Sequence, residues 1–167
     1  MAPMDANTLA ALADFPVRLE ACYGAVAPEY ANWQPPSWDG IPSEAFTPIG
    51  QLCHVRDIEI DGYYLRIQRT LQESHPLLAS IDGEALARER GYATGRAADA
   101  LSAFRDARAQ TMALLAGVTP EQFARTAVLE GYGPVTLRSL LHYLCSHDQQ
   151  HLAGLQWLLG KIAAARA

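Results

Sequence analysis

The stretch SLLHYLCSHDQQHLAGLQWLL, residues 139–159, has the apolar spacing of a helix with one buried face. Its apolar residues recur every three or four positions, which is typical of a helical stripe that faces a core. Side chains four residues apart lie on the same side of a helix, so two imidazoles in the stripe are predicted to point inward, close enough to bind one ion. The predicted stripe consists of Leu140, Tyr143, Leu144, His147, His151, Leu155 and Leu158.

The rest of the chain predicts a single all-α domain over residues 1–167, a four-helix bundle with additional short helices. Asp82 and Gly91 are predicted to cap a short helix, and the Gly-Tyr-Gly-Pro turn near residue 132 is predicted to form a small hairpin. Helices joined by connections near 20 residues allow the second and the fourth to pack side by side. The long helices are predicted over residues 7–27, from Thr47 to just before Pro76, over 96–115, and from Thr136 to 164.

Composition and charge exclude several functions. The chain has 167 residues and a formal net charge of −5, and no basic cluster stands out, so we predict no nucleic-acid partner. Its apolar runs are far shorter than the roughly 20 residues that cross a bilayer, which argues against a membrane partner. The N-terminus lacks the features of a signal peptide, and the three cysteines form no CxxC pair. We therefore expect reduced thiols in a cytoplasmic protein.

A third inward imidazole is predicted on the second helix. Ile58 and Leu65 mark the apolar face of that helix, and His54 lies on the same face one turn before Ile58. Burying a polar group without a partner costs roughly 1–3 kcal/mol, so three buried imidazoles need a shared partner. A divalent metal serves all three, because neutral imidazole is the commonest metal ligand in proteins. The alternative is a metal-free bundle in which the histidines bond to carboxylates such as Asp57 or Asp61.

The remaining histidines and two cysteines fit this site less well. His75 precedes a proline at a helix end and is predicted to be exposed. His142 lies about 140° around the last helix from His147, so it points elsewhere. By the same geometry Cys53 and Cys145 point away from the neighbouring imidazoles, and we interpret both as small packed residues.

Two segments resemble the signature segments of the DinB-like family. They are QLCHVRDIE, residues 51–59, and LLHYLCSHDQQH, residues 140–151. The resemblance covers almost the whole chain, including the proline-started second helix and the threonine before the last one. It implies a helical bundle that binds a divalent metal through His54, His147 and His151, with water in the open positions.

The resemblance also bears on function. It implies nickel, zinc, iron or manganese as the metal and frequent homodimers. Family members include thiol S-transferases that use small thiols, a thiol-dependent isomerase and proposed metal hydrolases. The chain is accordingly predicted to be a metal-dependent enzyme that activates a low-molecular-weight thiol or water for a small-molecule substrate. The alternative is a metal-binding or stress-associated module without turnover.

Five further residues are candidates around the metal. Asp57, one turn after His54, either orients an imidazole or is a solvated surface charge. Gln150 could reach the open coordination positions, although surface exposure is the simpler interpretation. Trp33, Trp38 and Tyr132 belong to loops that either cover the site or cap the core.

Overall fold

The structure, a computed structural model, describes residues 3–167. Its helices follow the predicted order, and a π-helical segment, Ile58–Tyr63, joins two of them into one continuous rod. Single 3-10 turns occur at Pro28–Tyr30, Tyr92–Thr94 and Gln122–Ala124. The helices are α1 (Ala6–Tyr23), α2 (Pro48–Asp57), α3 (Tyr64–Gln72), α4 (Gly83–Arg90), α5 (Ala97–Ala116) and α6 (Leu137–Ala165).

The long helices form the predicted four-helix bundle. One rod is α1, the second is α2 with its π-helical segment and α3, and the others are α5 and α6. Both α1 and α2 pack against α5 and α6, so the second and fourth rods are neighbours, as the long connections allow. None of the helices described in residues 3–167 combines the length and apolarity required to cross a membrane.

Capping residues fix where the helices begin and end. The side chains of Thr47 and Thr136 accept backbone N–H hydrogen bonds from the first turns of α2 and α6, and Asp82 does the same for α4. Gly91 ends α4 in the left-handed conformation, with φ at 61°. These caps confirm the predicted starts. The first helix ends at Tyr23, four residues earlier than predicted.

A small sheet closes one end of the bundle. The strands β2 (Thr126–Leu129) and β3 (Gly133–Thr136) form the predicted antiparallel hairpin. The two-residue strand β1 (Leu77–Leu78), which was not predicted, pairs with β2 in parallel. A strand this short has no periodic pattern to reveal it. The sheet packs its inner side chains against Leu140 of α6, and it places the β2–β3 turn beside the bundle interior.

The π-helical segment changes which side chains of the second rod face the core. The predicted apolar face included Leu65, but this side chain is 43% exposed, whereas Ile67 and Thr70 are fully buried. A π-bulge places an additional residue in the turn, so the buried stripe beyond it is rotated relative to α-helical periodicity. The prediction for Tyr143 is also wrong: it is exposed and contacts Tyr132.

A buried ion network ties the rods together. Arg108 of α5 makes paired hydrogen bonds to Glu59 of the π-helical segment and to Asp148 of α6, at 2.8–3.0 Å. Its guanidinium also donates to the backbone carbonyl of Leu12 in α1, at 2.8 Å. Thr111 donates a hydrogen bond to Glu59. The network links all four rods, and because one guanidinium serves two carboxylates, burial raises the pKa of Asp148 to about 7.

Candidate metal centre

The three predicted imidazoles converge inside the bundle. His54 is carried by α2, and His147 and His151 by the neighbouring α6. The Nε2 atoms of His54 and His147 are 3.2 Å apart. The ring centre of His151 lies 4.7 Å from that of His54 and 4.4 Å from that of His147. His54 and His151 are buried, whereas His147 is partly exposed.

A carboxylate that no periodic pattern predicted joins the imidazoles. Glu44 lies in the loop before α2, with Oε2 3.0 Å from Nε2 of His151 and Oε1 3.6 Å from Nε2 of His54. One ligand atom from each of the four side chains fits within 4.8 Å of the others. The Glu44 side chain is 47% exposed, so it lies at the open side of the cluster.

A glycine of α6 makes room for the loop that carries Glu44. A Cβ atom at Gly154 would collide with the hydroxyl of Ser43, so a larger residue would displace the loop. The Ser43 hydroxyl accepts a hydrogen bond from the Gln51 side-chain amide at 3.0 Å. The loop is therefore fixed between α2 and α6, immediately beside His151.

Gln51 orients His151. The Nδ1 atom of His151 donates a hydrogen bond to Oε1 of Gln51, so Nε2 is the ring atom directed at the cluster. The Gln51 amide nitrogen donates in turn to the backbone carbonyls of Glu44 and Phe46, each at 3.2 Å. Gln51 is fully buried, and it was missed in the sequence because a single glutamine on a buried face has no distinctive spacing.

Packing, rather than hydrogen bonding, orients His54. Its Nδ1 atom has no hydrogen-bond partner within residues 3–167. The ring of Phe46 lies 4.8 Å from the His54 ring, centre to centre. The backbone of Gly83 covers the imidazole so closely that a Cβ atom there would lie 2.7 Å from Cε1 of His54. Real Cβ atoms do not approach this closely, so Gly83 is a tight-contact position.

Burial sets the charge of the cluster. Burial, reinforced by the neighbouring imidazole of His151, lowers the pKa of His54 to about 4. The same two causes lower the pKa of His147 well below its ordinary value. Contact with His151 lowers the pKa of Glu44 to about 2. Near neutral pH, His54 and His147 are therefore neutral and Glu44 is an anion, which are the forms that bind a cation.

These donors fit a divalent cation. In a tetrahedral zinc site with Zn–N distances of about 2.0–2.1 Å, two nitrogen ligands lie roughly 3.3 Å apart, close to the His54–His147 separation of 3.2 Å. Nε2 of His151 is buried and makes no hydrogen bond to any residue in the described range 3–167, since its contact with Glu44 lacks hydrogen-bond direction. Three imidazoles with a half-exposed carboxylate resemble catalytic sites, which keep a coordination position open.

A cleft leads to the cluster. It has a volume of about 140 Å³, and His54, His147 and Glu44 form part of its wall. The remaining walls come from the second rod, from the segment after β1 and from the β2–β3 turn. A small molecule in this cleft would therefore lie directly against the imidazoles.

The structure gives Asp57 a different environment from either prediction. Its side chain is buried, so it is not a solvated surface charge. Its oxygens accept hydrogen bonds from Arg56 at 2.7 Å and from the Tyr92 hydroxyl at 2.8 Å, and Arg90 lies 3.1 Å away. Within residues 3–167 no hydrogen bond joins Asp57 to an imidazole. Asp61 pairs with Arg90, so among the described residues the carboxylate that contacts the histidines is that of Glu44 and not that of either aspartate.

The other candidates divide between the surface and the cleft. Gln150 is exposed and bonds to Ser146, so the surface interpretation is correct for it. Trp38 stacks on Trp157, with ring centres 6.3 Å apart, and is placed as a cap on the bundle. Trp33 packs edge-on against a neighbouring tyrosine. Tyr132 alone of these three aromatic residues lines the cleft.

The remaining histidines lie outside the cluster, as predicted. His75 is exposed and contacts the hydroxyl of Thr126. His142 is exposed as well and approaches the hydroxyl of Thr8, at 3.4 Å. Cys53 is a buried packing residue, and Cys145 is partly buried against the core.

Comparison with known proteins defines the class of protein to which this chain belongs. The DinB superfamily model matches residues 10–155. The chain therefore belongs to the DinB superfamily, which confirms the resemblance drawn from the two histidine segments. Among curated proteins, none matches the chain.

A solved structure has the same fold. It is YfiT from Bacillus subtilis, described as a probable metal-dependent hydrolase with an unusual four-helix bundle topology. The two chains superpose with a TM-score of 0.82 over 98% of this chain and 94% of YfiT, at 17% sequence identity. At that identity the similarity establishes the shared bundle, and activity has to be argued from the site.

Proposed function

We propose that this protein is a divalent-metal-dependent enzyme that activates water or a small thiol, of hydrolase or thiol S-transferase type. One observation carries the proposal: the imidazoles of His54, His147 and His151 converge beside a cleft that His54 and His147 line. A structural site would be sealed from solvent and would have no such access. The description of YfiT favours hydrolysis as the first reaction to test.

In this proposal the residues of the site serve either in metal binding or in proton transfer. His54, His147 and His151 would hold nickel, zinc, iron or manganese. The bound cation would lower the pKa of a water or thiol in its open coordination position. Glu44, ionised and half-exposed at the same place, would accept the proton from that nucleophile at a carboxylate oxygen. Gln51 would keep Nε2 of His151 directed at the cation.

Metal content and turnover test the proposal together. Protein purified without an affinity tag is expected to contain one divalent metal per chain by elemental analysis. The double variant His147→Ala, His151→Ala is expected to lose that metal and all turnover of chromogenic esters, or of a reactive electrophile with cellular thiols. His142→Ala is the matched control, because His142 is on the same helix outside the cluster. A metal-free, equally stable wild type would contradict the proposal, and bound metal without turnover would favour the non-catalytic module.

The role of Glu44 has its own test. Glu44→Gln is expected to keep the metal and to lower turnover by about 10²- to 10⁴-fold, the usual contribution of a proton-transfer group. Metal content and kcat are measured on the same preparation. Loss of metal in Glu44→Gln would instead identify Glu44 as a ligand, and unchanged kcat would exclude it from proton transfer.

Domain organisation, oligomeric state and localisation are the subject of three further proposals. We propose that the chain is one domain over residues 1–167, that it forms a homodimer and that it acts in the cytoplasm on a small molecule. Light scattering of the purified protein tests the dimer, which would have twice the 18.2 kDa chain mass.

A further inference from the structure

An arginine with no acidic partner lies in the wall of the cleft. Arg66 of α3 donates through Nε and Nη2 to the backbone carbonyl of Ala79, at 3.3 and 3.0 Å. Its Nη1 atom makes no hydrogen bond within residues 3–167, and no carboxylate there lies within ion-pairing distance. By contrast, Arg69 on the same helix is paired with Glu73. Arg66 thus has one edge of its guanidinium available to a ligand.

A second uncommitted donor lies next to it. Tyr63 lines the same cleft, and the guanidinium of Arg66 is 5.0 Å from the centre of its ring. The Tyr63 side chain is 5% exposed, yet its hydroxyl has no hydrogen-bond partner among the described residues. Burial raises the pKa of Tyr63, so the hydroxyl remains a neutral donor. The fully buried side-chain atoms without a partner do not include this hydroxyl, so it is open to solvent in the cleft, where a ligand can accept its hydrogen bond.

The other walls limit what the ligand can be. Ile58, Ile81 and Leu129 line the cleft with apolar surface. Glu130 is fixed at the cleft by hydrogen bonds from the backbone N–H and hydroxyl of Ser80, at 2.9 and 3.1 Å. This fixed negative charge disfavours a ligand with two negative charges. The volume of about 140 Å³ is small beside the roughly 300–1,000 Å³ of most ligand pockets.

We propose that Arg66 and Tyr63 bind the carboxylate of a small monoanionic substrate with a short apolar body. The inference rests on the proposed function for the location of the reacting end, which would lie against His54 and His147 in the cleft wall. Arg66 and Tyr63 supply donors from the adjoining wall, where the Tyr63 ring lies 6.2 Å from that of His147, and planar guanidinium groups are suited to carboxylates. The class of substrate is therefore a short-chain monocarboxylic acid that carries its reactive group away from the carboxylate.

Binding of butyrate tests the inference independently of turnover. Affinity for butyrate, butyramide and inorganic phosphate is measured by ligand-observed NMR on zinc-loaded and on metal-free protein. Butyrate is expected to bind the wild type in both forms, and butyramide and phosphate more weakly. Arg66→Gln is expected to weaken butyrate binding by about 10- to 100-fold, the range for a lost hydrogen bond to a charged group. Arg69→Gln, an exposed position on the same helix, is the control and should bind as the wild type does.

Other variants and measurements separate folding from recognition. Arg66→Lys, which keeps the charge, is expected to retain part of the affinity, and Tyr63→Phe to lose a smaller part than Arg66→Gln. Equal butyrate affinity in Arg66→Gln and the wild type would overturn the inference, as would equally tight phosphate binding or no butyrate binding. Zinc content is recorded in parallel. Failure to bind zinc would overturn the proposed function alone, since butyrate binding to metal-free protein is a separate readout.

Discussion

Two buried polar clusters lie side by side on α6, and they differ in how their charges are balanced. Around Asp148, Arg108 is bonded to two carboxylates and a backbone carbonyl. Around His147, three imidazoles face one another with a single half-exposed carboxylate. The first cluster is complete within the protein, whereas the second leaves nitrogen atoms available. The difference indicates that the Arg108 cluster serves stability and that the histidine cluster is arranged for a ligand.

The largest expected effect is the loss of stability when Arg108 is removed from the buried ion network. Arg108→Met removes the cation that pairs with both Glu59 and Asp148, so two carboxyl groups remain buried without it. The free energy of unfolding should fall by about 3–5 kcal/mol, measured by urea denaturation. Arg105→Met is the control, because Arg105 lies on the surface of α5 and pairs there with Glu20 of α1. It should change stability by less than about 1 kcal/mol. A small loss in Arg108→Met would show that the two clusters do not differ as described.

Acid should destabilise the metal-free protein through its histidine cluster. The pKa of His54 is about 4 in the folded chain and about 6.5 in the unfolded chain. Between these two pH values the unfolded chain therefore binds a proton at His54, whereas the folded chain does not. Stability is therefore lost as pH falls from about 6.5 toward 4. Between about pH 7 and pH 5, His54 alone should account for about 2 kcal/mol of that loss.

Urea denaturation at each pH measures the loss, with His54→Gln and His142→Gln for comparison. The loss should be about 2 kcal/mol smaller in His54→Gln and unchanged in His142→Gln. The same pH dependence in His54→Gln as in the wild type would contradict the assignment.

The smallest predicted effect concerns the packing around His54. Gly83→Ala places a Cβ atom against the His54 ring, so the imidazole must shift. We expect metal affinity to fall by about tenfold, as when other supports of metal ligands are altered. Competition with a chromogenic chelator measures the change. Gly160→Ala on α6, where an added Cβ meets no atom within 4 Å, is the matched control. Unchanged affinity in Gly83→Ala would show that the contact does not position His54.

The spacing of apolar residues predicted those features that depend on the sequence of a single helix. The inward positions of His147 and His151 follow from four-residue spacing, and the start of α2 follows from Thr47. Even the meeting of His54 with the last helix was predictable, because the family resemblance relates the two segments. Helix periodicity, helix capping and the family motif were sufficient to predict these positions.

Residues that depend on partners distant in the sequence were not predicted. Glu44 reaches the cluster from an irregular loop whose path is set by Gly154 and Ser43, and no local pattern encodes that contact. Arg108 does lie four residues after Phe104 on the buried face of α5, which is a signal for a buried charge. Its two carboxylates, however, come from separate rods, so only the assembled fold identifies them.

The π-helical segment at Ile58–Tyr63 lies between His54 of the histidine cluster and Arg66 of the cleft wall on one continuous rod, and Tyr63 is its last residue. A single-residue deletion within it would restore α-helical register and turn everything beyond by about 100°, the rotation per residue. His54 precedes the deletion and would stay in place, whereas Arg66 would leave the cleft wall. One codon lost here would thus change the side chains that line the cleft while conserving the imidazoles.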